Sequence, residues 1–266
     1  MKTIVITGST RGIGFGLAEN FLNLGQQVVI SGRSLESVNK SVQKLSEQYP
    51  ANNILGIPCD MREHQQVKSL WQSALDHFGK VDIWINNAGI SQSQAKFWEL
   101  TPETISDLVN TNITGAMFGA QVALDGFLEQ GSGAFYNMEG LGSDGRQVEG
   151  LTLYGTSKSA LHYLTKGLAA EVKGTNIIVG AISPGMVITD LIMKQYQDRD
   201  PEDFEQAKPI FNILADRVET VTPFLAEKIL SNKKNNATIA WLTQGKVAWR
   251  FLTATFNKRD LFADLE

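Results

Sequence analysis

Short apolar runs rich in β-branched residues recur at Thr3–Thr7, Val28–Ser31, Ile54–Cys59, Ile83–Asn86, Ala134–Met138 and Ile177–Ile182, separated by longer segments of helical period. Strands need runs that are apolar throughout, rather than alternating, when helices cover both faces of their sheet. Strands spaced by helices join in parallel through right-handed crossovers. The pattern predicts an α/β fold: one doubly wound, mostly parallel sheet in a single domain over residues 1–266. Gln195–Pro209, charged and carrying Pro201 and Pro209, breaks the period and predicts a mobile loop or short helical excursion. It lies within 190–235, read as a substrate lid. After Asn236 comes a strand-like piece and then an amphipathic stretch carrying Lys246, Arg250, Lys258 and Arg259.

Composition narrows the classes. A chain of 266 residues fits one large domain better than two, and 42% hydrophobic, 20% charged and 9% aromatic residues describe a globular chain with a sizeable core. With 24 Lys and Arg against 28 Asp and Glu, the net charge of −4 does not attract a phosphate backbone, so no nucleic-acid partner is expected. Cys59, the only cysteine, excludes an intrachain disulfide framework and reads as a small buried residue. His64, His77 and His162 lack ligand spacing, so no metal site is expected. The first residues enter a strand directly, and no apolar run approaches the ~20 residues of a spanning helix. These features predict a protein of a reducing, cytoplasmic setting with no transmembrane segment.

The first run ends in Thr7-Gly8-Ser9-Thr10-Arg11-Gly12-Ile13-Gly14 and leads into a helical stretch to about Leu24. Backbone N–H groups at a helix N-terminus attract an anion. Gly8 permits the tight turn, Gly12 the approach of a pyrophosphate, and Gly14 close packing of helix on strand. About 20 residues on, an enzyme using NAD places an acid for the adenosine ribose. Here the second run ends Ser31-Gly32-Arg33-Ser34. Arg33 and Arg11 are permanently charged donors suited to the extra phosphate of NADP, so the residues predict NADP(H). Thr10, Ile13 and Ser34 belong to the same cradle. Asp60, with Met61, is placed to accept from the adenine amino group, and Asn87, Ala88 and Gly89 to lie beside the adenosine, because ligands of open α/β sheets bind at carboxyl ends of strands.

Tyr154 and Lys158 lie four apart in a segment that reads as helix through Val172, so both project from one face. A phenol ionises near pH ~10 and a neighbouring ammonium favours its ionised form. Tyr154 is therefore a candidate general acid or base, with a nicotinamide as hydride source.

Together, the Thr-Gly-x-x-x-Gly-Ile-Gly turn, Asn86-Asn87-Ala88-Gly89, Tyr154-x-x-x-Lys158 and Ser183-Pro184-Gly185 resemble the short-chain dehydrogenase/reductase family in order and spacing, over about residues 1–190. The resemblance implies a Rossmann-type domain with a seven-stranded sheet, a carbonyl–alcohol redox reaction on a small-molecule substrate, and a homodimer or homotetramer. It implies that Asn112 holds a water in the proton relay and that Lys158 also holds the nicotinamide ribose. It further implies that Pro184, Gly185, Val187 and Thr189 line the nicotinamide.

One departure stands out. The family serine is expected about thirteen residues before the tyrosine, where Asn137-Met-Glu-Gly-Leu-Gly-Ser-Asp-Gly places Gly140 or Leu141. Ser143 can take over only if the surrounding glycines bend the loop toward the carbonyl; otherwise Tyr154, a backbone N–H or a water orients the oxygen. Glu139 reads as a strand-end surface charge, or else lies near the site, and His162 as a packed residue, or else approaches the pocket from the Tyr154 helix. The same run, with Ser183-Pro-Gly-Met-Val-Ile-Thr-Asp-Leu-Ile and Asn212-Ile-Leu-Ala-Asp-Arg-Val, resembles chlorophyll(ide) b reductase and its bacterial relatives. That implies reduction of a chlorophyll formyl group to hydroxymethyl with NADPH. Met186, Ile188, Leu191, Ile192, Met193 and Phe211 offer an apolar opening for such a pigment, or else pack as core. Reduction of a smaller 3-oxoacyl or sterol-like ketone and a weakly catalytic NADP-binding regulator are the rival readings. Trp241, Trp249, Phe251 and Phe256 are expected to pack on the domain or on a sister subunit; contact with a membrane surface is the other reading of aromatic residues interleaved with basic ones.

Overall fold

The computed structural model describes residues 1–198 and 200–263. Its strands are β1 (Thr3–Ile6), β2 (Gln27–Gly32), β3 (Ile54–Pro58), β4 (Ile83–Asn86), β5 (Gly133–Met138), β6 (Ile177–Ser183) and β7 (Ala237–Ala240). They form one sheet in the order β3-β2-β1-β4-β5-β6-β7, parallel throughout. The helices are α1 (Gly12–Asn23), α2 (Leu35–Ser46), α3 (His64–Phe78), α4 (Pro102–Val109), α5 (Gly115–Gln130), α6 (Thr152–Glu171), α7 (Asp190–Lys194), α8 (Pro201–Leu214), α9 (Val218–Ser231) and α10 (Gln244–Thr253). A π-helical turn, Asn110–Thr114, links α4 to α5. All six apolar runs are strands, and the piece after Asn236 supplies the seventh.

Both faces of the sheet are covered, which is why the runs are apolar at every position. Ile4, Ile6, Val28 and Ile30 pack with Leu17, Phe21, Leu45 and Leu225 of α1, α2 and α9. On the other face, Val5, Val29, Trp84 and Phe135 pack with Leu70, Phe127 and Ala169 of α3, α5 and α6. Each Val, Leu, Ile or Phe so buried contributes about 1.5–3 kcal/mol. From β1 the chain builds outward through β2 and β3, then returns to lay β4 on the opposite side of β1. The loops diverge at this reversal and open a crevice above the carboxyl ends of the strands.

Of the mobile loop or short helical excursion expected after β6, the structure has the helix. Pro201–Pro209 belongs to α8, which runs on to Leu214. Pro201 stands in the first turn of α8, where its missing N–H costs nothing, and the Asp200 carboxylate accepts the Glu202 N–H at 3.0 Å. Tyr196, Phe204, Phe211 and Phe262 meet at ring-centroid distances of 5.1–6.2 Å and form a satellite core with Met186, Ile188, Ile192 and Met193. Within 190–235, α9 buries Val221, Leu225, Ala226 and Ile229, so this helix is core rather than lid. Arg199 of that stretch and 264–266 of the tail lie outside the described residues. Trp241 packs edge-on against Phe224 at 5.3 Å. Of the two packings expected for Trp249, Phe251 and Phe256, on the domain or on a sister subunit, the first is not found: they are 66%, 47% and 92% exposed, because the polar side of α10, through Arg250, faces inward. Among the described residues no helix is long and apolar enough to cross a membrane.

Candidate active site

The turn from β1 into α1 is held from outside. The Asn87 side-chain amide donates to Thr7 O and Gly8 O, both at 2.9 Å, while Thr7 Oγ1 accepts the Asn87 and Ala88 N–H groups at 3.1 and 3.0 Å. A Cβ added at Gly14 would stand 2.4 Å from Asn87 Nδ2 and 2.7 Å from Gly8 O, so only glycine lets α1 start this close to the brace. Arg11, the N-cap of α1, makes no side-chain cap bond and the first turn carries no acid. The positive end of the helix is thus left facing the crevice, a fit for an anionic dinucleotide. Thr7 has a role in this brace that the sequence did not assign.

At the far end of the crevice, Arg33 and Ser34 lie at the N-terminus of α2, where Ser34 Oγ accepts the Ser37 N–H at 3.4 Å. A Cβ at Gly32 would meet Thr10 Cγ2 at 2.7 Å, so an acid there would have to displace Thr10. Arg11 reaches Asp190 at 3.1 Å across the mouth, both side chains about three-quarters exposed. Asp60 lines the crevice, but its carboxylate grips Arg62, with Nε at 3.0 Å and Nη2 at 2.7 Å. These bonds hold the Asp60 carboxyl below its usual range. Burial pushes the Cys59 thiol up to about 12, so it is no thiolate nucleophile.

Tyr154 and Lys158 project from α6 and are buried at 7% and 5% exposure. Lys158 Nζ lies 5.7 Å from the Tyr154 ring centroid and donates to Met138 O at 3.0 Å. A Cβ at Gly140 would stand 3.0 Å from Tyr154 Oη, which shows that Gly140, rather than Leu141, holds the serine's place. Leu141 instead packs with the Leu108, Leu153 and Tyr154 cluster. Ser143 does not substitute: its hydroxyl accepts the Gly140 N–H at 3.2 Å and donates to Lys158 O at 3.3 Å, closing the loop onto α6.

Burial pushes Tyr154 up to about 12 and Lys158 down to about 8, the latter opposed by the charge of Glu139. The expected ionisation of the phenol by its lysine is therefore outweighed by desolvation. A phenol that keeps its proton is the state required of an acid that protonates a carbonyl oxygen.

Asn112, on the π turn, accepts the Ile90 N–H at 2.8 Å through Oδ1 and donates to Ile90 O at 2.9 Å and Ser157 Oγ at 3.1 Å. Both its amide hydrogens are thus committed to joining the loop after β4 to α6, and one Oδ1 lone pair is left. Of the residues singled out in the sequence, Asn112 does not line the crevice. Gly8, Thr10, Arg11, Gly12, Ile13, Gly14, Arg33, Ser34, Asp60, Met61, Asn87, Ala88, Gly89, Ser143, Tyr154, Lys158, Pro184, Gly185, Val187 and Thr189 all do. The crevice measures about 1700 Å³. A single small-molecule site is typically ~300–1,000 Å³, so there is room for a dinucleotide and a second ligand.

Fold and site define an oxidoreductase acting on carbonyl or alcohol groups, and the chain belongs to the short chain dehydrogenase family, whose model matches residues 2–200. Among its relatives are the chlorophyll(ide) b reductases NOL, chloroplastic, of Oryza sativa subsp. japonica, 37% identical over 88% of this chain, and of Arabidopsis thaliana, 38% identical over 85%. The alignments take in 68% and 64% of those proteins' own length. A 3alpha-hydroxysteroid dehydrogenase of Mediterraneibacter gnavus is 37% identical over 72% of this chain and 76% of its own. Among solved structures, ElxO with NADP bound superposes at a TM-score of 0.80, 26% identical, covering 93% of this chain and 99% of that one.

Proposed function

We propose that this chain reduces an aldehyde or ketone with NADPH. The convergence of Tyr154, Lys158 and the braced glycine turn on one crevice carries the reading. A nicotinamide dinucleotide, when bound, supplies the hydride. The Gly8–Gly14 turn holds its pyrophosphate and Arg11, Arg33 and Ser34 its ribose phosphate. Asp60, Met61 and Asn87 to Gly89 flank the adenosine; Pro184, Gly185, Val187 and Thr189 flank the nicotinamide, and Lys158 holds its ribose. Tyr154 gives its proton to the carbonyl oxygen, the Lys158 ammonium offsets the phenolate charge, and Asn112 fixes the neighbouring loop and holds a relay water.

Two expectations follow. Arg33→Ala raises the KM for NADPH by about 10- to 100-fold, the worth of one charge-assisted contact, and leaves that for NADH nearly unchanged. A native chain that prefers NADH overturns the cofactor assignment. Because Lys158 must be charged, kcat falls as pH rises through about 8, where burial makes it lose its proton. A kcat flat from neutrality to pH ~10 excludes that role.

The substrate we propose is the formyl group of chlorophyll(ide) b. Likeness to the plant reductases supports it, as do Met186, Ile188, Leu191, Ile192 and Phe211, which give the crevice an apolar wall. Incubation with chlorophyllide b and NADPH, followed by the absorption change of the hydroxymethyl product, tests it. The hydroxysteroid dehydrogenase relative favours a second reading, a smaller ketone; turnover of a steroid ketone with no change in the pigment would select it.

A further inference from the structure

Glu139 follows directly on Met138, whose carbonyl receives Lys158 Nζ, and its own N–H is fixed to Ile182 O at 2.8 Å. The expected surface charge is in fact buried, at 6% exposure, with Oε1 2.7 Å from His162 Nδ1. The reason is register: at the end of β5 this side chain turns under α6 instead of out to solvent. His162 stands one helical turn beyond Lys158, as Lys158 stands one turn beyond Tyr154, so the three share a face of α6. A buried carboxylate persists only with a partner, and His162 provides one. A buried ammonium likewise needs a counter-charge, and the carbonyl that Lys158 touches is neutral.

We propose that Glu139, anchored by His162, is a positioning residue that keeps Lys158 charged beside Tyr154. The proposal rests on the reading of Tyr154 and Lys158 as the proton-donating pair. With glycine in place of the serine, the charge state of Lys158 governs the proton step the more strongly. Burial drives Lys158 toward its neutral form and Glu139 acts against that. Among the charged groups that share a hollow with Glu139, α6 supplies Lys158, His162 and Lys166, and the loop after β5 supplies Asp144 and Arg146, which pair with each other at 2.7 Å. Toward β6 and β7 the small hollow beside Glu139 is lined by Ala181, Asn236, Ala237 and Thr238.

The test is the titration of Lys158 in the intact chain. With isotope-labelled lysine, its Cε resonance is assigned by loss in Lys158→Met and followed against pH in the native chain, Glu139→Gln and His162→Gln. Glu139→Gln is expected to lower the midpoint by about one pH unit, the size of a nearby opposite charge removed. His162→Gln leaves the carboxylate in place and produces less than half that shift. In turnover, the alkaline limb of kcat moves with the Glu139→Gln midpoint while the KM for NADPH stays fixed. Superimposable Lys158 titrations in the native and Glu139→Gln chains overturn the proposal. If Glu139→Gln fails to fold, Glu139→Asp, which retains the charge but withdraws it, shifts the midpoint the same way by less; no shift there is equally fatal. A native chain that turned over no carbonyl would count against the catalytic pair alone, since the titration is read without turnover.

Discussion

Tyr154→Phe is expected to lower kcat by about 10²–10⁴-fold, the usual worth of a general acid, while NADPH binds within a few-fold of native. The phenyl ring can keep its place against Leu108 and Leu153, so the variant removes Oη and little else. The loop after β5 offers no hydroxyl to stand in. Gly140 occupies the spot facing Oη, and the Ser143 hydroxyl is tied to Gly140 N–H and Lys158 O. Loss is therefore expected to be deeper than in a site where a serine could still orient the carbonyl. Turnover of the chosen carbonyl and a fluorescence titration with NADPH measure the two quantities separately. A variant retaining more than about a tenth of native turnover contradicts proton donation by Tyr154.

The parts of this site that were legible in the sequence are those encoded locally. The strands show as unbroken apolar runs because helices cover both faces, and the glycine turn and the Tyr154–Lys158 pair are fixed by spacings of a few residues. What was hidden depends on contacts between distant segments. Glu139 and His162 meet only because β5 lies beneath α6; the available clue was the four-residue step from Lys158 to His162, continuing the stripe begun at Tyr154. The identity of the residue replacing the serine turned on loop curvature, which placed Gly140 under Tyr154 Oη and sent Leu141 into an apolar cluster. The prolines of 195–209 were read as breaks, yet Pro201 behind the Asp200 cap is a helix start. The basic tail residues, whose interleaving with aromatics also read as a membrane contact, are in part turned inward by a carboxylate whose significance no local pattern reveals.

That carboxylate is Asp216, and Asp216→Asn is expected to destabilise the chain by about 3 kcal/mol and lower Tm by roughly 5–10 °C. Asp216 is 3% exposed. It accepts from Arg250 Nη2 at 2.7 Å, Arg259 Nη2 at 2.8 Å and Trp241 Nε1 at 2.6 Å. Its backbone pairs with the strip after β6, through N–H to Met186 O and O from Ile188 N–H, both at 3.0 Å. One side chain thus fastens β7, α10 and the tail to the apolar wall of the crevice. The amide is nearly the same shape, but it leaves two guanidinium groups close together without their shared counter-charge, and such a broken buried pair is costly. Two readouts distinguish this from a generic loss of packing. The wall loosens, so the KM for the carbonyl substrate rises more than that for NADPH. Adding Arg259→Leu to Asp216→Asn then recovers part of the lost Tm, because one of the unpaired charges is gone. A thermal melt of Asp216→Asn within about 1 °C of native would show that the tail is held by something other than this ion cluster.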